Sequence, residues 1–227
     1  VLLGDDLIHL DSSASEACQW RCPGIIHIDE LVYGRSISID PTGNRLLVGT
    51  ANGTIVTQSL VDSSEGAVLQ PSGTGELEVS ATTTGADGVI WAVIGCDLRF
   101  LAPGDGSGTL TNWEEYQFCS SSSDQATDIL VNSGNLMIST GANGVYIISY
   151  NLSSNQSTVG IQSIDRWDSG NFLASNRITD LQMMGNQLLI STENAGISRR
   201  DMATSTWLSR WSTGNALASN TVLGTSV

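Results

Sequence analysis

The sequence predicts an all-β chain of about five related units with four strands each, and three observations predict it. The first is a phrase written twice. Trp167 to Asn176 reads WDSGNFLASN and Trp211 to Asn220 reads WSTGNALASN, with seven of ten letters shared at a spacing of 44 residues. The second is an apolar run that recurs before a turn rich in Gly and Asn. Its copies are Arg45–Thr50 before Ala51-Asn52-Gly53, Asn135–Thr140 before Gly141-Ala142-Asn143-Gly144, and Gln187–Thr192 before Glu193-Asn194-Ala195-Gly196. Weaker copies are Ile90–Gly95 before Cys96-Asp97, and Val1–Gly4 before Asp5-Asp6. The third is composition: 24 glycines and 40% hydrophobic but only 14% charged residues, arranged as β-branched runs broken by Gly, Asn and Asp. Such a chain offers many short strands and turns rather than long helices.

The last residue of each recurrent run falls at positions 4, 50, 95, 140 and 192, giving intervals of 46, 45, 45 and 52. Upstream of three anchors lies another short strand: Ser36–Asp40, Thr127–Val131 and Ile178–Gln182. Turns such as Pro41-Thr42-Gly43-Asn44 and Asn132-Ser133-Gly134 join each pair. Each unit therefore reads strand, turn, strand, turn, strand, longer loop, outer strand. About 45 residues in four strands is the size of one β-propeller blade, which must pack against neighbours to bury both faces. Solenoid repeats are usually shorter and need capping segments, which this chain lacks. A length of 227 residues suits a single propeller domain over 1–227.

The repeated phrase then falls where an outer strand (Ile164–Trp167, Leu208–Trp211) crosses to the next inner strand. Its tryptophans are expected to pack between blades and its asparagines to cap turns. The carboxyl end, Asn220–Val227, reads as an inner strand without its successor, and the amino end as a second strand without its inner one. Together they would make a fifth blade closing a ring and pairing exposed edges; the alternative is five units of a longer array. The start at Val1-Leu2-Leu3-Gly4, inside a strand, points to a mature product or a segment of something longer.

The phrase and its sequel, WDSGNFLASNRITDL…GNQLLISTENAGISRRD (Trp167 to Asp201), resemble the regulator-type propeller repeats of two-component sensor ectodomains. They are also similar to propeller repeats in large secreted or surface proteins of marine microbes. The resemblance is good across residues 120–227, fainter over 36–60 and poor over 61–118. It implies propeller blades and an extracellular, periplasmic or cell-surface setting. It implies no single activity, since propellers host binding, sensing and hydrolysis alike. The Asp-box of sialidase-like propellers and the Gly-His…Trp-Asp signature of WD40 blades are both absent.

Charge narrows the function classes. Nine basic residues against 23 acidic ones give −14, so the basic footprint that nucleic acid requires is missing. Anionic membrane surfaces are disfavoured likewise, and no apolar run reaches the 18 residues of a spanning helix. Four cysteines occur, Cys18, Cys22, Cys96 and Cys119. With only His9 and His27 beside them they make a poor zinc set, and they read instead as disulfides of an oxidising compartment. Three pairings are open. Cys18–Cys22 with Cys96–Cys119 is the simplest, and of these the 23-residue separation closes with less strain.

No nucleophile elbow, phosphate loop or zinc-protease motif occurs. His9 and His27 each alternate with apolar residues in a strand, as structural histidines do. The sequons at Asn52, Asn151 and Asn155 match what chance supplies in so Asn- and Ser-rich a chain. Carboxylates and amides remain. On a propeller, turns after the second strand share one face with the loops leading into inner strands. That face would gather Asp5, Asp6, Asn52, Asp97, Asn143, Glu193 and Asn194. These could bind a cation such as calcium or a sugar, or a carboxylate pair could hydrolyse a glycoside. The competing reading is that tight hairpins simply require Asp, Asn and Gly. The sequence thus predicts a noncatalytic extracellular module with a protein or carbohydrate ligand. The alternatives are a glycosidase-like enzyme and a structural segment of a large surface protein.

Overall fold

A computed structural model describes residues 34–60, 66–71, 77–103, 113–119 and 124–225, together with the backbone of residues 2–3, 6–8 and 25–27. Among the described residues there are nineteen strands and no helix. Four sheets have four strands each, all antiparallel and in chain order. The first is β4 (Gly34–Ile39), β5 (Arg45–Thr50), β6 (Ile55–Ser59) and β7 (Gly66–Leu69). The second is β8 (Val79–Thr84), β9 (Ile90–Ile94), β10 (Asp97–Leu101) and β11 (Glu114–Gln117). The third is β12 (Ala126–Asn132), β13 (Asn135–Thr140), β14 (Val145–Leu152) and β15 (Val159–Trp167). The fourth is β16 (Ile178–Met184), β17 (Gln187–Thr192), β18 (Gly196–Asp201) and β19 (Thr206–Trp211). Ahead of them β1 (Leu2–Leu3), β2 (Asp6–Ile8) and β3 (Ile25–His27) form a three-stranded sheet.

The first strands of successive sheets, β4, β8, β12 and β16, contact one another side by side, so they mark the inner edge of the array. Each carries a bulge at the same place, between Gly34 and Ser36, Val79 and Ala81, Ala126 and Asp128, and Ile178 and Asp180. Second strands are buried along nearly their whole length, terminal Ser and Thr included, because both their faces are covered. In β9, Ile90, Ala92 and Ile94 pack with Leu47 and Ile55 of the first blade, while Trp91 and Val93 pack with Ile138 and Tyr150 of the third. In β13, Met137 turns instead to Leu188 and Ile190 of the fourth. The period of two thus becomes one hydrophobic seam on each side of a blade.

The anchors at 50, 140 and 192 end their second strands, and 95 follows one directly; the anchor at 4 lies outside the described residues. Residues 220–225 lie along the fourth blade, where Val222 N donates to Thr192 O at 3.0 Å. Ring closure through the two ends involves residues 1 and 226–227 and much of 1–33, which also lie outside the described residues.

Candidate functional site

The repeated phrase is a bridge between blades, and its two copies bond identically. Asn171 Oδ1 accepts Asp168 N and Asn215 Oδ1 accepts Ser212 N, both at 2.8 Å. Asn176 Oδ1 accepts Ser169 N and Asn220 Oδ1 accepts Thr213 N. The carbonyls of the same two asparagines accept Gly144 N at 3.0 Å and Gly196 N at 2.8 Å, hooking each bridge to the hairpin it passes. Gly144 and Gly196 have φ of +86°, and a Cβ on either would stand 2.1 Å from the carbonyl oxygen of Trp167 or Trp211. Only glycine fits there. Trp167 is buried among Met137, Val145, Leu173 and Ile178, between the third and fourth blades as expected.

The same hairpins hold most of the predicted face. Thr50, Thr140 and Thr192 each send Oγ1 to a backbone carbonyl across the turn, that of Thr54, Gly144 or Gly196, and accept a backbone N–H from within it. Asn52 Oδ1 accepts the hydroxyls of Thr50 and Thr54. Asn143 and Asn194 occupy the equivalent turns, and Glu193 pairs with Arg177 at 2.5 Å. Gly141 N donates to Gln125 O and Glu193 N to Arg177 O, so hairpins and inner-strand leaders do share one side. Asp6 lies in β2, of which only backbone is described; Asp5, Cys18, Cys22 and His9 lie outside the described residues. Among the described residues, no three His, Cys, Asp or Glu side chains gather as a metal-ligand group.

Asp97 is the predicted residue that borders an open cleft. The cleft has a volume of about 420 Å³ and is lined by polar groups of Glu78, Ser80, Asp97, Gln117 and Gln125, with Leu77 and Ile94 as its apolar wall. The elements explain the convergence. Asp97 starts β10 after the two-residue turn Gly95-Cys96, Gln117 pairs with it from β11, and Glu78 and Gln125 lead into the inner strands β8 and β12. Both acids are restrained by arginine: Glu78 lies 3.2 Å from Arg35 Nε, and Asp97 lies 3.7 Å from the buried Arg99, which also binds Glu115 at 2.5 Å. Cys96 and Cys119 form a disulfide that ties the tip of the β9–β10 hairpin to the residues following β11. The cleft is therefore a set of carboxylate, amide and hydroxyl groups whose two acids are partly neutralised by Arg35 and Arg99, suited to hydrogen bonding more than to gripping a bare cation.

Two carboxylates, one buried and one half-buried, escaped the sequence reading. Asp124, just ahead of β12, is 1% exposed; its Oδ2 accepts the Tyr146 hydroxyl at 3.2 Å and its Oδ1 has no partner. Burial and that carboxylate together push the Tyr146 phenol up. Asp128 follows the β12 bulge and crosses to the next blade, where Oδ2 accepts Leu181 N at 2.9 Å. Burial dominates there and raises its pKa to about 6, against the lowering effect of the Leu181 and Ile129 amides. Asp180 repeats the device on Thr225 N at 2.8 Å. The signal was present in sequence as Thr-Asp-Ile and Thr-Asp-Leu at equivalent places, without the bulge that aims them.

No known sequence family and no curated protein matches the chain. Solved structures do. The extracellular domain of the hybrid two-component system BT3049 from B. thetaiotaomicron is similar at 13% identity and a TM-score of 0.58, over 86% of this chain and 24% of that one. The RRP9 WD40 repeats are similar at 9% and 0.56, over 80% and 52%. BamB from Moraxella catarrhalis is similar at 11% and 0.50, over 78% and 49%. This chain thus spans between a quarter and about half the length of those structures. At such identities the likeness concerns fold alone, and the fold is a β-propeller built of repeats.

Proposed function

We propose that residues 1–227 form a single noncatalytic propeller module that works outside the cytoplasm, in an extracellular, periplasmic or cell-surface setting. It presents its hairpin side for interaction or sensing, in the manner of regulator-type repeats. The observation that carries this reading is the cleft at Asp97, open and polar, while Asn52 is bonded within its own hairpin and Glu193 is paired with Arg177. The Cys96–Cys119 bond and the likeness to an extracellular domain support the compartment. A cleft of paired acids, two glutamines and a serine suits a neutral carbohydrate.

The test is thermal melting of the purified chain with neutral oligosaccharides (cello-, xylo- and galacto-series), beside a Gln117→Ala/Gln125→Ala variant. A ligand of the cleft raises Tm for the wild type and not for the variant. Hydrolysis products in the same samples would turn the assignment to the glycosidase-like alternative. Silence across every sugar would leave the structural-segment reading in its place.

A further inference from the structure

The outer edge of the seam between the third and fourth blades departs from the repeat. Phe172 stands where the second copy of the phrase has Ala216. It is 51% exposed and lies flat against Trp207, with ring centroids 5.5 Å apart and planes 11° apart. Trp207 in turn meets Trp167 edge-on at 5.3 Å. The Arg200 guanidinium sits over both indoles, 4.7 and 5.2 Å from their ring centroids. Phe172 and Trp207 border a groove of about 400 Å³ whose walls include Ser198, Arg199 and Arg210.

The charge here runs against the molecule. The chain has no lysine; all nine of its basic residues are arginines, and five of them fall between positions 166 and 210. Arg35, Arg99, Arg166 and Arg177 are held in ion pairs. Among the described residues, Arg199, Arg200 and Arg210 are in none. Arg199 donates to Gln187 Oε1 at 2.8 Å and Ser209 O at 3.3 Å, and Asp165 influences Arg200 only from beyond ion-pair distance. A chain of net charge −14 thus sets Arg200 and Arg210 beside an exposed aromatic platform, while Arg199 lies over Trp211.

We propose that this groove binds a short acidic oligosaccharide. A sugar ring presents a flat C–H face that packs on an exposed aromatic ring, here Phe172 backed by Trp207. A carboxylate or sulfate on the sugar takes the planar donor fork of Arg210, while the fork of Arg199 is engaged by Gln187 and Ser209 over Trp211. Charge complementarity selects an anion, and the −14 of the whole chain selects a short one, since a long polyanion would be repelled by the rest of the surface. An acidic peptide would satisfy the arginines but would leave the platform without a flat partner. The repeat architecture does not need Phe172, because Ala216 serves the paired bridge.

Isothermal titration of the purified chain carrying Gln117→Ala/Gln125→Ala, which takes the Asp97 cleft out of the measurement, decides the matter. The probes are tetragalacturonate for carboxylated sugars, a chondroitin sulfate tetrasaccharide for sulfated ones, maltotetraose for neutral ones and a tetraglutamate peptide. At least one acidic sugar is expected to bind, with maltotetraose and tetraglutamate each weaker by about tenfold or more. Phe172→Ala and Arg210→Gln are each expected to weaken it about tenfold, the scale of one stacking or charge-assisted contact. Phe172→Leu, which keeps the bulk and removes the flat face, serves if the alanine variant melts early. The inference is overturned if neither acidic sugar binds, if maltotetraose or tetraglutamate binds equally well, or if the folded Phe172 variants bind as the wild type does.

Discussion

In residues 124–225 the joint between blades is a polar device used twice. A bridge asparagine caps its own turn and then accepts an amide from the hairpin it passes, while an aspartate after the inner-strand bulge reaches onward, Asp128 to the next inner strand and Asp180 to Thr225 beyond the fourth blade. In residues 77–119 the position of that aspartate is Ala81, and the space toward the third blade is filled by Trp91, fully buried against Phe100 and Tyr150. A disulfide does the local fastening there. The joints are therefore set mainly by bonds to backbone amides in one half and mainly by volume in the other, where the Tyr150 hydroxyl also donates to Asp87 at 2.8 Å. Directional bonds demand particular letters and volume does not, which is why the phrase repeats in one region and is lost in the other.

The sharpest way to separate the two is a matched pair of glycines. Gly144→Ala sets a Cβ against the Trp167 carbonyl at positive φ and is expected to cost about 4 kcal/mol, strain plus forced displacement. Gly95→Ala, at φ +61° with nothing within 4 Å, should cost about 1 kcal/mol. Urea midpoints of the two variants check the difference. Equal losses would mean that the bridge gives way easily.

Reduction of Cys96–Cys119, or its replacement by a pair of alanines, comes next. The chain-entropy relation gives about 3 kcal/mol for a closure of this length, read as a drop in Tm under reducing conditions. The loss should leave the spectroscopic signature of the Trp167 seam unchanged until global unfolding.

Third is the pH dependence of the Asp128 crossing. Its folded pKa of about 6 lies above the ordinary value of 3.8, so the folded state holds the proton more tightly than the unfolded chain. Stability from this group is therefore full below pH ~4 and falls as pH rises through 6, by on the order of 2 kcal/mol after allowance for its partial exposure. Asp128→Asn should flatten that slope. An unchanged slope would move its origin elsewhere.

The smallest effect concerns the bridge caps. Asn176→Ala and Asn220→Ala should each cost about 1 kcal/mol, as lost side-chain caps do, and the two should be alike because their bonds are alike.

How legible all this was in sequence follows the same division. Blades with repeated polar letters were readable to within a few residues, since Asn-Gly turns and alternating runs encode backbone geometry directly. Strands β7, β8 and β11 were not read at all, because Gly66–Leu69, Val79–Thr84 and Glu114–Gln117 carry no turn signature and share no letters with their counterparts. The pairing of Cys96 with Cys119 was legible because few alternatives existed. Of the site residues, the pairing of Glu193 with Arg177 was not legible because it reaches across from the leader of β16, whereas Arg99 stands two residues from Asp97 on one strand, a same-face spacing that was open to reading and passed over. The aromatic platform was missed because Phe172 differs from its paired letter, and a search for repetition passes over what is not repeated.

The staple at Cys96 and Cys119 closes within one blade and crosses no seam. Pulled from its ends, as a tether at a cell surface is pulled, the chain would part blade from blade before it could draw on the segment inside the bond. The separation of 23 residues corresponds to ~80 Å of contour length withheld from extension. That reserve is released only where thiols can reach the bond, so the second blade sets a reach that depends on the redox state of its surroundings.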